Sequence, residues 1–256
     1  MKLYLLTTII LPFFGNCGTT DRKLPAITVG EPDTTIPVYK KIAELPLPAG
    51  YKRMKRTDTS FGAWLQQVSL KKDNRVYLYN GSLKRNQQAQ FAVLDIPVGN
   101  KDLQQCADAV MRLRAEYLYS RKQFSQIVFA DNNGKQYRYA GGDNFQQYLE
   151  KVFSYCGSAS LQKQLKPVNR FENIQPGDVL IKGGSPGHAM LVMDVAENEA
   201  GKRIYLLAQS YMPAQDIHIV KNPISTDLSP WYEVCSDNCL IYTPEWVFTK
   251  NDLRRW

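Results

Sequence analysis

The stretch from Val179 to Val220 constrains this chain most. Four apolar runs, Val179–Lys182, His188–Val195, Arg203–Tyr211 and Ile217–Val220, succeed one another with short polar connections. Alternating runs joined this tightly predict strands that pair antiparallel. His188 heads the strongest run, directly after Ser185-Pro186-Gly187, where Pro186 and Gly187 suit the two central positions of a type II turn. A histidine there is either a strand-start residue satisfied by the turn or one member of a catalytic pair.

On such a strand His188, Met190, Val192 and Asp194 share a face. Asp194 cannot orient the imidazole, because six residues of strand span about 20 Å. Taking AENEAG as the loop, with Val195 opposite Lys202, the same count sets Gln209 opposite His188. A slip of one residue offers Ser210 instead, on the flipped face. Gln209 is thus either the residue that holds the imidazole tautomer through its amide oxygen or an ordinary polar strand residue. Tyr211 and Gln215, in QSYMPAQ, are candidates to line a cleft beside it, with Ser185 from the turn. His218 alternates with Ile217 and Ile219, so it is expected to point out of a half-buried strand.

Upstream, NKDLQQCADAVMRLRAEYLYSRKQF carries Leu103, Cys106, Val110, Leu113 and Tyr117 at spacings of three and four, one apolar stripe of a helix. Asp102 with Gln105 three residues on suggests a capping box, and Arg112 can pair with Glu116 across one turn. Cys106 falls in the first turns. A thiol there is either a small core residue or a nucleophile favoured by the positive end of the helix dipole. Asp108 points about 200° round from it.

The remaining segments are shorter. Ser60 caps a helix in FGAWLQQVSL, VYLYNGSLK turns at Asn80-Gly81, and QFAVLDIPV reads as a strand. QIVFADNNGKQYRYA is a hairpin, Asp143 to Cys156 is helical, and a second short helix runs from Ser158 to Leu165. Trp231, Tyr232 and Trp246 suit either a binding groove or core packing.

Residues 1–17 have a single early lysine, an apolar run and Gly15-Asn16-Cys17, the pattern of a secretory signal in which Cys17 is a candidate lipidation site. From 18 to 48 prolines recur among Thr, Asp and Lys, an extended tether or arm, leaving 49–256 as one α+β domain. Cys235 and Cys239, in VCSDNC, are a candidate disulfide in an oxidising compartment. No metal or cofactor motif is present in the sequence. The net charge of +8 suits an anionic neighbour such as an envelope polymer. Nucleic acid is disfavoured: apart from Lys52, Arg53, Lys55 and Arg56 the basic residues are scattered, and no nucleic-acid motif accompanies them.

A helix opening on a cysteine, followed by an antiparallel sheet carrying histidine and then a polar residue, resembles the papain-like fold. It is closest to the NlpC-type and CHAP-type cell-wall peptidases and amidases, through IQPGDVLIKGGSPGHAMLVMDVA. That resemblance implies Cys106 as nucleophile, His188 as general base and Gln209 as orienter. This chain has Gln105-Cys106-Ala107 where those enzymes usually have Asp-Cys-Ser. Over most of its length the chain is more similar to DUF4846, an uncharacterised family of secreted or lipoprotein-like bacterial proteins, through VYLYNGSLK, DLQQCADAVMRLRAEYLY, GGSPGHAMLVMDVA, LLAQSYMPAQ and TPEWVF. The expectation is therefore a secreted or membrane-anchored cysteine hydrolase of amide bonds, acting on cell-wall peptides without a cofactor. The alternative is a non-catalytic envelope protein of the same fold. The membrane is reached only through a lipid anchor.

Overall fold

The computed structural model describes residues 39–142, 144–235 and 239–256. Residues 1–17, expected to be a signal segment ending in Cys17, and most of the expected arm lie outside them. The end of that arm does not behave as a tether. Ile42 and Leu45 are fully buried, Ile42 N–H donates to Val68 O, and the Trp231 indole donates to Pro46 O at 2.7 Å. Apolar side chains at 42 and 45 gain more from the core than an extended segment gains from water, so the fold begins before residue 49.

In chain order the elements are β1 (Tyr51–Arg53), α1 (Phe61–Gln67), β2 (Gln90–Val93), α2 (Cys106–Ser120), β3 (Val128–Ala130), β4 (Gln136–Arg138), α3 (Phe145–Tyr155) and α4 (Ser158–Gln164). There follow β5 (Lys166–Pro167), β6 (Val179–Lys182), β7 (His188–Asn198), β8 (Arg203–Gln209), β9 (His218–Val220), β10 (Tyr232–Glu233), β11 (Leu240–Tyr242), β12 (Val247–Thr249) and β13 (Leu253–Arg255). The main sheet runs β2-β9-β8-β7-β6-β13-β5, with β1 added to β7 and β10 to β8. Every pairing in it is antiparallel. The fold is therefore α+β.

Both faces of the sheet are covered, which is why β7 is apolar almost throughout instead of alternating. On one face lie α1 and α2, in the cluster with Leu113, Leu191, Met193 and Leu206. On the other, Phe248 of the β11–β12 hairpin and Leu253 join Met190, Val192 and Leu207. The helix α2 is buried nearly all round, and its side chains Val110, Met111, Leu113 and Leu118 each contribute about 1.5–3 kcal/mol by leaving water. The Arg112–Glu116 pair forms at 2.8 Å.

The β7–β8 register departs from the one expected. Val195 pairs with Tyr205 and not with Lys202, because β7 continues to Asn198 and turns more tightly. An odd shift of this kind, continued to the start of β7, would turn His188 and Gln209 to opposite faces. It does not continue. Val192 pairs with Leu207 and Asp194 with Leu206, so Met193 is an extra residue, a β-bulge. Met193 and Asp194 both turn toward the helices: Met193 enters their core, and Asp194 bonds Arg53, Arg56 and Gln66. Beyond the bulge the displacement is even, and His188 again shares a face with Gln209 as its diagonal neighbour. The basic cluster Lys52–Arg56 is thereby largely structural, with Arg53 and Arg56 holding the buried Asp194 at 2.8 and 2.7 Å.

Candidate active site

The start of α2 is set by Gln105, not by Asp102. Asp108 accepts from the Gln105 N–H at 3.0 Å in a capping box, while the Asp102 carboxylate takes the Ala214 N–H at 2.6 Å. Ser210 Oγ donates within reach of Gln104 O at 2.7 Å and Gln215 O at 2.9 Å. The loop before α2 is thus tied to the loop after β8, and Cys106 becomes the first helical residue. Ser210 sits on the side away from His188, as a residue adjacent to Gln209 must.

Cys106 is half-buried and lines a cleft of about 320 Å³ whose wall includes Ser158, Gly184, Ser185, Pro186 and Met212. Ser185 lines this cleft, but Gln209, Tyr211 and Gln215, expected beside it, do not. The turn before His188 is not type II: Gly184 takes the left-handed conformation and Gly187 does not. Gly187 is needed for another reason. A Cβ there would lie 2.5 Å from Gly184 O and 2.6 Å from Ser158 Oγ, because the turn packs directly on the start of α4.

Burial pushes the Cys106 thiol up to about 11, and the nearby Asp108 charge adds to this. The backbone N–H groups of Ala189, Ala107 and Cys106 lie close enough to oppose it. Ala189 directly follows His188, so the thiol touches the backbone at the start of β7, on the face of the strand away from the His188 ring. Among the described residues no hydrogen bond joins the sulfur to the imidazole. Cys106 packs on the helix-side core, whereas the His188 ring lies among Tyr211, Trp246 and Phe248 at 5.0, 5.4 and 5.9 Å. His188 and Gln209 are buried and do not line the cleft, and Tyr211 packs against His188. Gln215 is buried, and among the described residues its side-chain nitrogen finds no partner.

His188 Nε2 and Gln209 Oε1 are 2.8 Å apart. Behind them lies a buried polar cluster. Gln209 Nε2 is 2.6 Å from Glu245 Oε2 and 3.3 Å from His218 Nε2; Lys84 Nζ is 2.7 Å from Glu245 Oε2 and 3.3 Å from His218 Nε2. His218 is fully buried here, not half-exposed, because β9 is an inner strand paired to both β8 and β2. Burial draws His188 down to about 4 and His218 to about 3, with the Lys84 charge acting in the same direction. Both rings are therefore neutral at pH 7.

Lys84 and Glu245 are far from His188 in sequence and carry no motif chemistry of their own. Their only signal is that they fall in VYLYNGSLK and TPEWVF. Cys235 and Cys239 are paired, their Cα atoms 6.4 Å apart. Among the described residues no three His, Cys, Asp or Glu side chains converge to hold a metal, and no helix is long and apolar enough to cross a membrane.

The fold defines an α+β protein with a cysteine at the start of a buried helix and a buried histidine–glutamine pair on a doubly covered antiparallel sheet. The chain belongs to DUF4846, a domain of unknown function (4846), which matches residues 42–142 and 140–255. No curated protein and no solved structure matches it.

Proposed function

We propose that the protein is a cysteine hydrolase of amide bonds with a papain-like arrangement, exported to the bacterial cell envelope and acting on cell-wall peptides. The observation that carries this reading is Cys106 at the first turn of α2, lining a cleft and abutting the strand that begins with His188. In the reaction the thiol proton passes to His188 as the sulfur bonds the substrate carbonyl carbon. Backbone N–H groups at the start of α2 face the developing oxyanion. The carbon–nitrogen bond then breaks, the amine takes the proton from the imidazolium, and water hydrolyses the thioester. A neutral thiol and a neutral imidazole are the resting form, so the proton moves only when a substrate carbonyl is present.

A second reading, a binding module of the same fold, is favoured by the thiol's high pKa and by its lack of a hydrogen bond to His188. An electrophilic peptide-amide probe separates the two. The hydrolase reading expects labelling of Cys106 that disappears in Cys106→Ser and in His188→Ala. Labelling of Cys106 at equal rates with and without His188, no faster than a free thiol, refutes it.

A further inference from the structure

Glu245 takes no part in the proton path above, yet it determines what His188 can do. The two ends of the Gln209 amide have the same shape, so orientation follows from their partners alone. A carboxylate oxygen 2.6 Å away only accepts, which requires the Gln209 NH2 to face Glu245. Gln209 Oε1 then faces His188 Nε2 at 2.8 Å, and a carbonyl oxygen there requires that nitrogen to carry the hydrogen. In a neutral ring Nδ1 is left bare.

The neighbouring histidine is assigned by the same logic and comes out opposite. His218 Nδ1 lies 2.9 Å from the backbone carbonyl of Asp216, which fixes hydrogen on Nδ1 and a lone pair on Nε2. That lone pair faces Lys84 Nζ and the second Gln209 N–H, both at 3.3 Å. Gln209 and both rings then each set a donor toward an acceptor, with the single His218 lone pair shared between Lys84 and Gln209, and reversing Gln209 would set its oxygen against the Glu245 carboxylate and the His218 lone pair.

We infer that Glu245 is a positioning residue. Through Gln209 it holds His188 in the Nε2–H tautomer, leaving Nδ1 free to receive the thiol proton, while Lys84 balances its charge inside the sheet. The catalytic purpose rests on the hydrolase reading; the tautomer does not.

The chain has two histidines, so long-range proton–nitrogen correlation on the 15N-labelled full-length protein reads both tautomers. The expected result at pH 7 is hydrogen on Nε2 of His188 and on Nδ1 of His218. Glu245→Gln removes the obligatory acceptor, and His188 is expected to lose its pure Nε2–H pattern while His218 keeps Nδ1–H as a control for the intact cluster. Should that variant not fold, Lys84→Met with Glu245→Gln removes both charges together. Nδ1–H on His188 in the unaltered protein, or an unchanged His188 pattern in the folded variants, overturns the inference. If the proton also matters to Cys106, amide-probe labelling slows by about tenfold or more in Glu245→Gln. Unslowed labelling refutes the catalytic role. A tautomer change in a protein whose Cys106 is never labelled removes the hydrolase reading and leaves the positioning by Glu245.

Discussion

Acidification should unfold this protein through its two histidines. A free imidazole titrates near 6.5, but burial holds His188 near 4 and His218 near 3. Both folded values lie below the unfolded one, so the unfolded chain binds protons first as pH falls. Stability is fully present above pH 6.5 and is lost below it, until each folded ring titrates in turn. Between pH 7 and pH 5 the unfolded state gains about 0.7 proton per histidine and the folded state almost none. Linkage converts this to a loss of about 2 kcal/mol for each ring, about 4 kcal/mol together, a large share of a typical stability of about 5–15 kcal/mol. Asp108 works in the opposite direction, because burial raises its carboxyl well above the usual range and folding then takes up a proton on acidification. The histidine part is isolated by difference. Urea unfolding at pH 7, 6 and 5, compared between the unaltered chain and His218→Gln, should show the acid-induced loss shrinking by about 2 kcal/mol in the variant. An identical pH dependence in the two proteins would refute the claim that His218 is held neutral by the sheet.

Two further outcomes follow from the fold. Asp194→Asn leaves Arg53 and Arg56 without their carboxylate in a buried site, and urea unfolding should register a loss of about 2–4 kcal/mol, reduced from the fully buried value because Arg53 is partly exposed. A loss under about 1 kcal/mol would mean that water or other groups replace Asp194. Gly187→Ala sets a Cβ within 2.6 Å of two oxygens and should cost about 1–3 kcal/mol in the same assay; full stability would show that the turn moves away from α4 without penalty.

Much of the architecture could be read directly from local pattern. Helix α1 with its Ser60 cap, β6 and the starts of β7 and β8 fall where apolar periodicity sets them, since these depend on residues close in sequence. Cys106, His188 and Gln209 were visible for the same reason: a helix start, a turn and a strand each advertise themselves locally. His218 was misjudged because alternation reports a strand's two faces but not whether both are covered. The joining of β13 to β6 and β5, between segments distant in sequence, left no trace in any local pattern.

The sequence by itself therefore determined the central helices and strands, their antiparallel order, and Cys106, His188 and Gln209 as candidates for chemistry. Tertiary structure alone decided their relation. The sharing of one face by His188 and Gln209 depends on one extra residue at Met193, which lets Met193 and Asp194 both turn toward the helices. The tautomer of that histidine depends on Glu245, 36 residues beyond Gln209, brought behind the site by the β11–β12 hairpin. Hydrogen-bond direction is settled by which groups meet in space, and no spacing along the chain encodes that meeting.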